Sequence, residues 1–223
     1  MINRFKKSGI LLDGAAGSDI VGNYIGTDQT GRLDHGNRGA GVRIVDGVGN
    51  AVGGDTDPAL RNLIAWNRGT GVRVEGASAG NSVVSNQILR NSGLGIDLGA
   101  AGVTPNDAAP HPDSDTGANN LQNFPEITSA TRSGSTTTVA GTLQSTPGQT
   151  YTIQCYLAAP DRSGHGEARA LLDQDPDVTT DGGGNAGFTC TSDAPMVGDR
   201  VSATATSTTT GDTSEFSGNV TVR

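Results

Sequence analysis

Gly71-Val72-Arg73-Val74-Glu75-Gly76 and Gly95-Ile96-Asp97-Leu98-Gly99 are two copies of one cassette: a glycine, an apolar residue, an outward residue, a second apolar residue and a closing glycine. Two further copies, Gly9-Ile10-Leu11-Leu12 and Gly41-Val42-Arg43-Ile44, precede them. A second cassette, Asn-x-[Ile/Val]-x-x-Asn, interleaves at 62–67, 81–86 and 86–91, with looser copies at 18–23 and 50–55. Each apolar run is too short for a helix and alternates inward and outward residues, so it predicts a strand. Glycine at its ends supplies sharp corners. With Ile10, Val42, Val72 and Ile96 taken as equivalent, the copies lie 32, 30 and 24 residues apart. The excess in the first two falls in Gly-, Asp- and Asn-rich insertions at 26–40 and 54–61. The uninterrupted unit then makes one coil of a parallel β-helix, in which each repeat buries its apolar face only against its neighbours. Val83, Ile88 and Ile96 point inward from three successive strands, with Ile64 and Val74 beneath Val83 and Leu98. Asn67 and Asn86 stack at the corners, where a buried amide bonds to the next coil.

Composition sets the limits around this pattern. The chain has 223 residues, 33% of them apolar and 34 of them glycine, with a net charge of −8. The periodic spacing of Val, Ile and Leu points to a turn-rich folded β protein and away from disorder. No apolar stretch reaches the ~18 residues of a membrane span. The run Ile10-Leu11-Leu12 ends at Asp13, too short for a signal peptide. An acidic surface with two lysines and few aromatics excludes nucleic-acid binding.

Residues 105–120 form an acidic connector. Asp113-Ser114-Asp115-Thr116-Gly117 presents two carboxylates on one side of a turning loop, a set of hard oxygen ligands that suits calcium. The expected ligands are Asp107, Asp113, Asp115 and Asn119, while His111, between Pro110 and Pro112, reads as an exposed linker residue. Beyond it the pattern changes to Thr-rich alternating stretches at 136–143, 150–157, 186–191, 201–207 and 216–222, which predict a β-sandwich. Period two puts Tyr151, Ile153, Cys155 and Leu157 on one face, and Phe188 and Cys190 on another, so both cysteines point into the core. His165 beside Glu167 reads as a pair of exposed turn residues.

Ser18-Asp19-Ile20-Val21-Gly22-Asn23-Tyr24-Ile25-Gly26-Thr27-Asp28, with Thr30-Gly31, resembles a signature of the bacterial right-handed parallel β-helix repeat proteins, and 93–107 resembles their terminal coil. The segments 161–167, 178–181, 185–188 and 203–217 resemble the immunoglobulin-like domain that often follows such helices. The expected fold is therefore all-β: a short right-handed parallel β-helix of about four coils with its connector at 1–120, then an immunoglobulin-like β-sandwich at 121–223. The resemblance implies a bacterial secreted or cell-surface protein, and in that setting Cys155 and Cys190 are expected to form a disulfide. A solenoid needs a cap at each end. Coils upstream, or association with another chain, are expected at the N-terminal end.

The same fold carries polysaccharide lyases, uronan epimerases and non-catalytic adhesive stalks. On the outer face Arg43, Arg73 and Asp97 form one column about 4.8 Å apart, where two guanidinium groups beside a carboxylate suit an acidic glycan. Lys6 and Lys7 sit at the edge, and no catalytic residue stands out. The expected function is a non-catalytic structural or adhesive module that binds a polysaccharide or cell-surface glycan. The alternative is a calcium-assisted lyase or epimerase acting on polyuronates, or a fragment of one.

Overall fold

Successive cassettes return to the same faces of the molecule. The computed structural model describes residues 1–54, 57–107 and 113–223, and the readings placed on Asp55 and His111 lie outside these. The chain is all-β. Its first half runs β1 (Ile10–Asp13), β2 (Asp19–Ile20), β3 (Tyr24–Ile25), β4 (Val42–Val45), β5 (Ala51–Val52) and β6 (Leu63–Ala65). It continues through β7 (Val72–Glu75), β8 (Ser82–Val83), β9 (Gln87–Leu89) and β10 (Ile96–Leu98). These strands make three parallel sheets, ordered β1-β4-β7-β10, β2-β5-β8 and β3-β6-β9. Each turn of chain thus adds one strand to each sheet; among the described residues three turns are complete and β10 opens a fourth. The register sets Val42 on Ile10, Val72 on Val42 and Ile96 on Val72, the equivalence read from the cassettes.

Val42, Ile44, Val72, Val74, Ile96 and Leu98 meet Val52, Val83, Ile25, Ile64 and Ile88 in one buried core. Each such side chain contributes roughly 1.5–3 kcal/mol by leaving water. Ile64 stacks on Ile88, and Val52 on Val83. The expected pairing of Ile64 with Val83 fails because β6 and β8 belong to different sheets.

The corners are polar and stacked. Asn37 donates through its backbone N–H and Nδ2 to Asn67 Oδ1, and Asn67 does the same to Asn91. Asn50, Asn81 and Asn119 form a second ladder, and Asn62 and Asn86 a third. Asn67 and Asn86 are thus both ladder residues, on separate ladders. The opening glycines of the cassettes answer to space and not to a corner. A Cβ on Gly71 would lie 2.4 Å from Ile88 Cγ2 and 2.5 Å from Gly95 O, which no ordinary packing tolerates. Gly99, at a closing position, has φ +64°, where glycine is at ease.

The second half contains β11 (Glu126–Ser133), β12 (Thr136–Gln144), β13 (Thr150–Ala158), β14 (Ala168–Thr179), β15 (Asn185–Ser192), β16 (Arg200–Ser207) and β17 (Val220–Thr221). Two antiparallel sheets, β11-β12-β15 and β14-β13-β16-β17, enclose a core of Val139, Leu143, Phe188, Tyr151, Ile153 and Val201 among others. Cys155 on β13 and Cys190 on β15 form a disulfide between the two sheets. Four of the five stretches expected as strands are strands, while 216–222 pairs only at β17. β11 and β14 were not expected. The acidic alternation Asp173-Gln174-Asp175-Pro176-Asp177 hides β14, yet the Asp173 and Asp175 carboxylates accept the Thr191 and Thr189 amides of β15 and seal its edge.

The halves meet over the last turn. Tyr156, Ala168 and Phe216 from the second half join the apolar core of the first. Gly80 N–H donates to Asp212 Oδ1, Val83 N–H to Thr213 Oγ1, and Ser85 N–H to Gln154 Oε1 and the Tyr156 hydroxyl. At the opposite end Leu11 and Tyr24 are exposed, and Ile10 and Leu12 are only partly buried.

Asn67→Ala removes an amide that is completely buried and bonded on both sides. It should destabilise the chain by about 2–5 kcal/mol in urea unfolding, since an orphaned buried polar group costs about 1–3 kcal/mol and several are orphaned. Asn23→Ala removes only an exposed bond from Nδ2 to Val21 O and should cost less than about 1 kcal/mol.

Candidate functional site

Parallel register brings Arg43, Arg73 and Asp97 into one column, as their cassette positions require. Glu75, one residue pair further along β7, completes it. Arg43 Nε lies 2.5 Å from Glu75 Oε2, and Arg73 Nε 3.2 Å from Glu75 Oε1. Arg73 also bonds Asp97 Oδ2, and its remaining nitrogen donates to Gly99 O at 2.7 Å. The column is therefore a closed chain of opposite charges, with every nitrogen of Arg73 engaged. The Arg73 and Asp97 side chains are 15% and 4% exposed, so this pair is buried, and not the weak surface pair that an outward column implies. Burial pushes the Asp97 carboxyl above the usual carboxylate range, against the pull of Arg73.

Beside Asp97 opens a cleft of about 430 Å³, walled by the last two turns and by Asp161, Arg162 and Ser163 of the second half. Arg68, Thr70 and Arg73 line the repeat side. Arg68 pairs with Asp34 at 2.8 Å and stays largely exposed. Asp161 Oδ1 is occupied by the Ser163 amide at 2.6 Å and by the Ser163 hydroxyl.

The acidic connector is folded onto the sandwich. Asp107 Oδ2 accepts the Ser114 and Asp115 amides at 2.7 and 3.0 Å. Asp113 accepts the Asn123 amide at 3.0 Å and the Ser145 hydroxyl. Burial raises the Asp113 and Asp115 carboxyls, and each is raised further by its acidic neighbours. Asn119 is not one of this group. Its Oδ1 accepts the Asn81 amide groups at 3.1 Å and its Nδ2 donates to Asn81 O, so the residue expected as a calcium ligand is the end of an asparagine ladder. Among the described residues no three His, Cys, Asp or Glu side chains are arranged to hold a metal ion.

Two carboxylates given no such role by the sequence are buried at the junction of the halves. Glu167, read as an exposed turn residue, is 1% exposed and turns into the junction, where it accepts the Arg90 amide at 2.6 Å and the Asn91 amide at 3.0 Å. Glu215 is 3% exposed and accepts the Leu98 and Thr104 amides at 2.9 and 3.0 Å. Burial pushes both up to about 7, with the amide bonds pulling the other way. His165 stands apart from them: its Nδ1 donates to Phe216 O at 3.1 Å, and its ring meets Phe124 edge-on at 5.2 Å. Alternation alone cannot reveal such caps, because their partners are backbone amides more than 70 residues away.

Arg73→Ala should destabilise the chain by about 3–5 kcal/mol, as expected when one member of a buried ion pair is removed. Arg43→Ala, at the exposed end, should cost about 0–1 kcal/mol; denaturant midpoints compare the two. A second expectation concerns pH. Glu167 and Glu215 titrate at about 7 when folded, against an ordinary 4.5, so between these values the folded chain holds protons that the unfolded chain releases. Their contribution is full below about 4.5 and is lost as pH rises through 7. The melting temperature should fall from pH 5 to pH 8, and the slope should flatten in the Glu167→Gln, Glu215→Gln double variant. No protein-family model and no curated protein matches the chain.

Proposed function

We propose that the chain is a non-catalytic module of a bacterial secreted or cell-surface protein, a short right-handed parallel β-helix closed by an immunoglobulin-like sandwich, which holds its position by binding acidic glycans. The observation that carries this reading is the commitment of the charged column. Arg43, Glu75, Arg73 and Asp97 pair with one another in sequence, so each charged group of the column is held by an opposite charge and none is set apart as a base to take a proton beside a uronate carboxyl. The buried carboxylates at the junction accept backbone amides from the last turn and act as fasteners. The disulfide between the sheets suits an oxidising compartment. Rigid parallel stacking and a sandwich fastened to it suit a spacer that presents a surface, with glycan contact at the edge of the Arg73–Asp97 face.

Pectate, alginate and other polyuronates incubated with the folded protein, with and without calcium, are expected to yield no unsaturated product by ultraviolet absorbance. A calcium-dependent signal lost in Arg73→Lys would make the chain a lyase and overturn the proposal.

A further inference from the structure

We infer that the corner between the sheets β3-β6-β9 and β1-β4-β7-β10 is a basic ridge that binds an extended acidic polysaccharide, with Lys6, Arg38 and Arg68 each facing a carboxylate of the polymer. The inference rests on the acidic-glycan reading above and places its contact on this ridge, beside the Arg73–Asp97 face.

An asparagine ladder sets the line. The Phe5, Asn37 and Asn67 amides each donate to the asparagine Oδ1 of the following turn, at Asn37, Asn67 and Asn91. One residue further on, the Arg38 amide donates to Phe5 O and the Arg68 amide to Asn37 O, both at 2.9 Å, so Lys6, Arg38 and Arg68 hold equivalent places in successive turns. Ser92 takes that place in the last turn. Turns repeat about every 4.8 Å, so the three cations stand in a row about 10 Å long. Arg4, Lys7 and Arg90 flank them on the same corner, which gathers six of the 15 basic residues of a chain whose net charge is −8. All six are exposed.

The row is uncompensated. Arg68 pairs with Asp34, while Arg4, Lys6, Lys7 and Arg38 make no ion pair or side-chain hydrogen bond among the described residues. Like charges side by side on neighbouring turns repel and weaken the stack, so packing gives no reason for them. The adjacent column shows the compensated alternative, since Arg43, Glu75, Arg73 and Asp97 are each held by an opposite charge. A bound polyanion supplies to the ridge what Glu75 and Asp97 supply to that column. On the other side the outward residues Tyr24, Leu63 and Gln87 carry no charge, so the basic strip is narrow. A narrow strip fits one extended polymer and not a flat anionic membrane. Spacing selects the polymer. A chain of sugar acids carries one carboxylate per ring, which a guanidinium grips with two parallel bonds. Duplex DNA carries about one charge per 1.7 Å of axis and would press many phosphates against an acidic protein. Arg90 lies over the Trp66 ring at 4.7 Å, which holds its cation on the ridge beside the only tryptophan of the chain.

The test is titration calorimetry of the full chain with hexagalacturonate, with its carboxyl-reduced hexasaccharide, and with a short DNA duplex. Saturable binding of hexagalacturonate alone is expected, weakened by added sodium chloride. It is expected to weaken about 10-fold or more in the Lys6→Ser, Arg38→Ser, Arg68→Ser triple variant. A control variant, Arg169→Ser, Arg200→Ser, Arg223→Ser, removes three exposed cations from the second half and is expected to bind within about 2-fold of the wild type, since distant charges are screened. Trp66 emission should change with the same half-saturation as the heat. Equal binding of the reduced sugar or of DNA would overturn the inference, as would binding that leaves Trp66 emission unchanged. So would a triple variant that binds like the wild type, or a control variant that loses as much as the triple variant. Retention on insoluble pectate and alginate separates the two readings. If the triple variant is retained as well as the wild type, the ridge assignment fails while glycan adhesion stands. If the folded wild type neither binds the hexasaccharide nor is retained, both fail.

Discussion

A stack of parallel strands ends in a row of backbone N–H groups with no next strand to receive them, and the second half of this chain is built around that row. Asp212, Thr213, Gln154, Glu167 and Glu215 deliver side-chain oxygens to the amides of Gly80, Val83, Ser85, Arg90, Asn91 and Leu98. The acceptors come from three separate stretches of the second half, so no short segment could serve as the cap. A charged acceptor makes a stronger bond to an amide than a neutral one, by roughly a factor of two. Here that gain offsets only part of the cost of taking two carboxylates out of water, and burial still pushes both up to about 7.

The same accounting for backbone groups explains the composition. Among the described residues three turns of parallel strands enclose a narrow core, which about a dozen Val, Ile and Leu side chains fill. Its corners cannot be apolar, because the chain bends there and leaves amides and carbonyls unpaired. Asparagine carries both a donor and an acceptor on one short side chain and so repeats from turn to turn. A low apolar fraction and abundant Gly and Asn are what a thin, stacked fold requires, and they do not signal disorder. Glycine serves two purposes: at Gly71 it gives room for the neighbouring turn, and at Gly99 it permits a left-handed backbone.

Charge follows a division of labour set by depth. Arg43 and Glu75 lie toward solvent, and Arg73 and Asp97 lie deeper, beside the cleft that residues 161–163 help to wall. Asp97, an outward residue of its cassette, is buried there with Arg73 and forms part of the cleft wall.

The cassettes opened by Gly9, Gly41, Gly71 and Gly95 were enough to indicate the stacking and its register despite their unequal spacing, because copies of one alternating strand bury the same face only when equivalent positions lie side by side. Period two likewise placed Cys155 and Cys190 in the core where they bond. The asparagines were legible as ladder residues, but which of them share a ladder was not, since the corner a residue occupies depends on the loops between strands. β14 was hidden because its acidic side chains answer to the edge of the opposite sheet and not to a core of its own. The burial of Glu167 and the cleft beside Asp97 were hidden for the same reason in a stronger form. Local pattern records which face of a strand is buried against its neighbours. The sites at the junction depend on how one half docks onto the other, and that is decided by long-range bonds between groups that lie far apart along the chain.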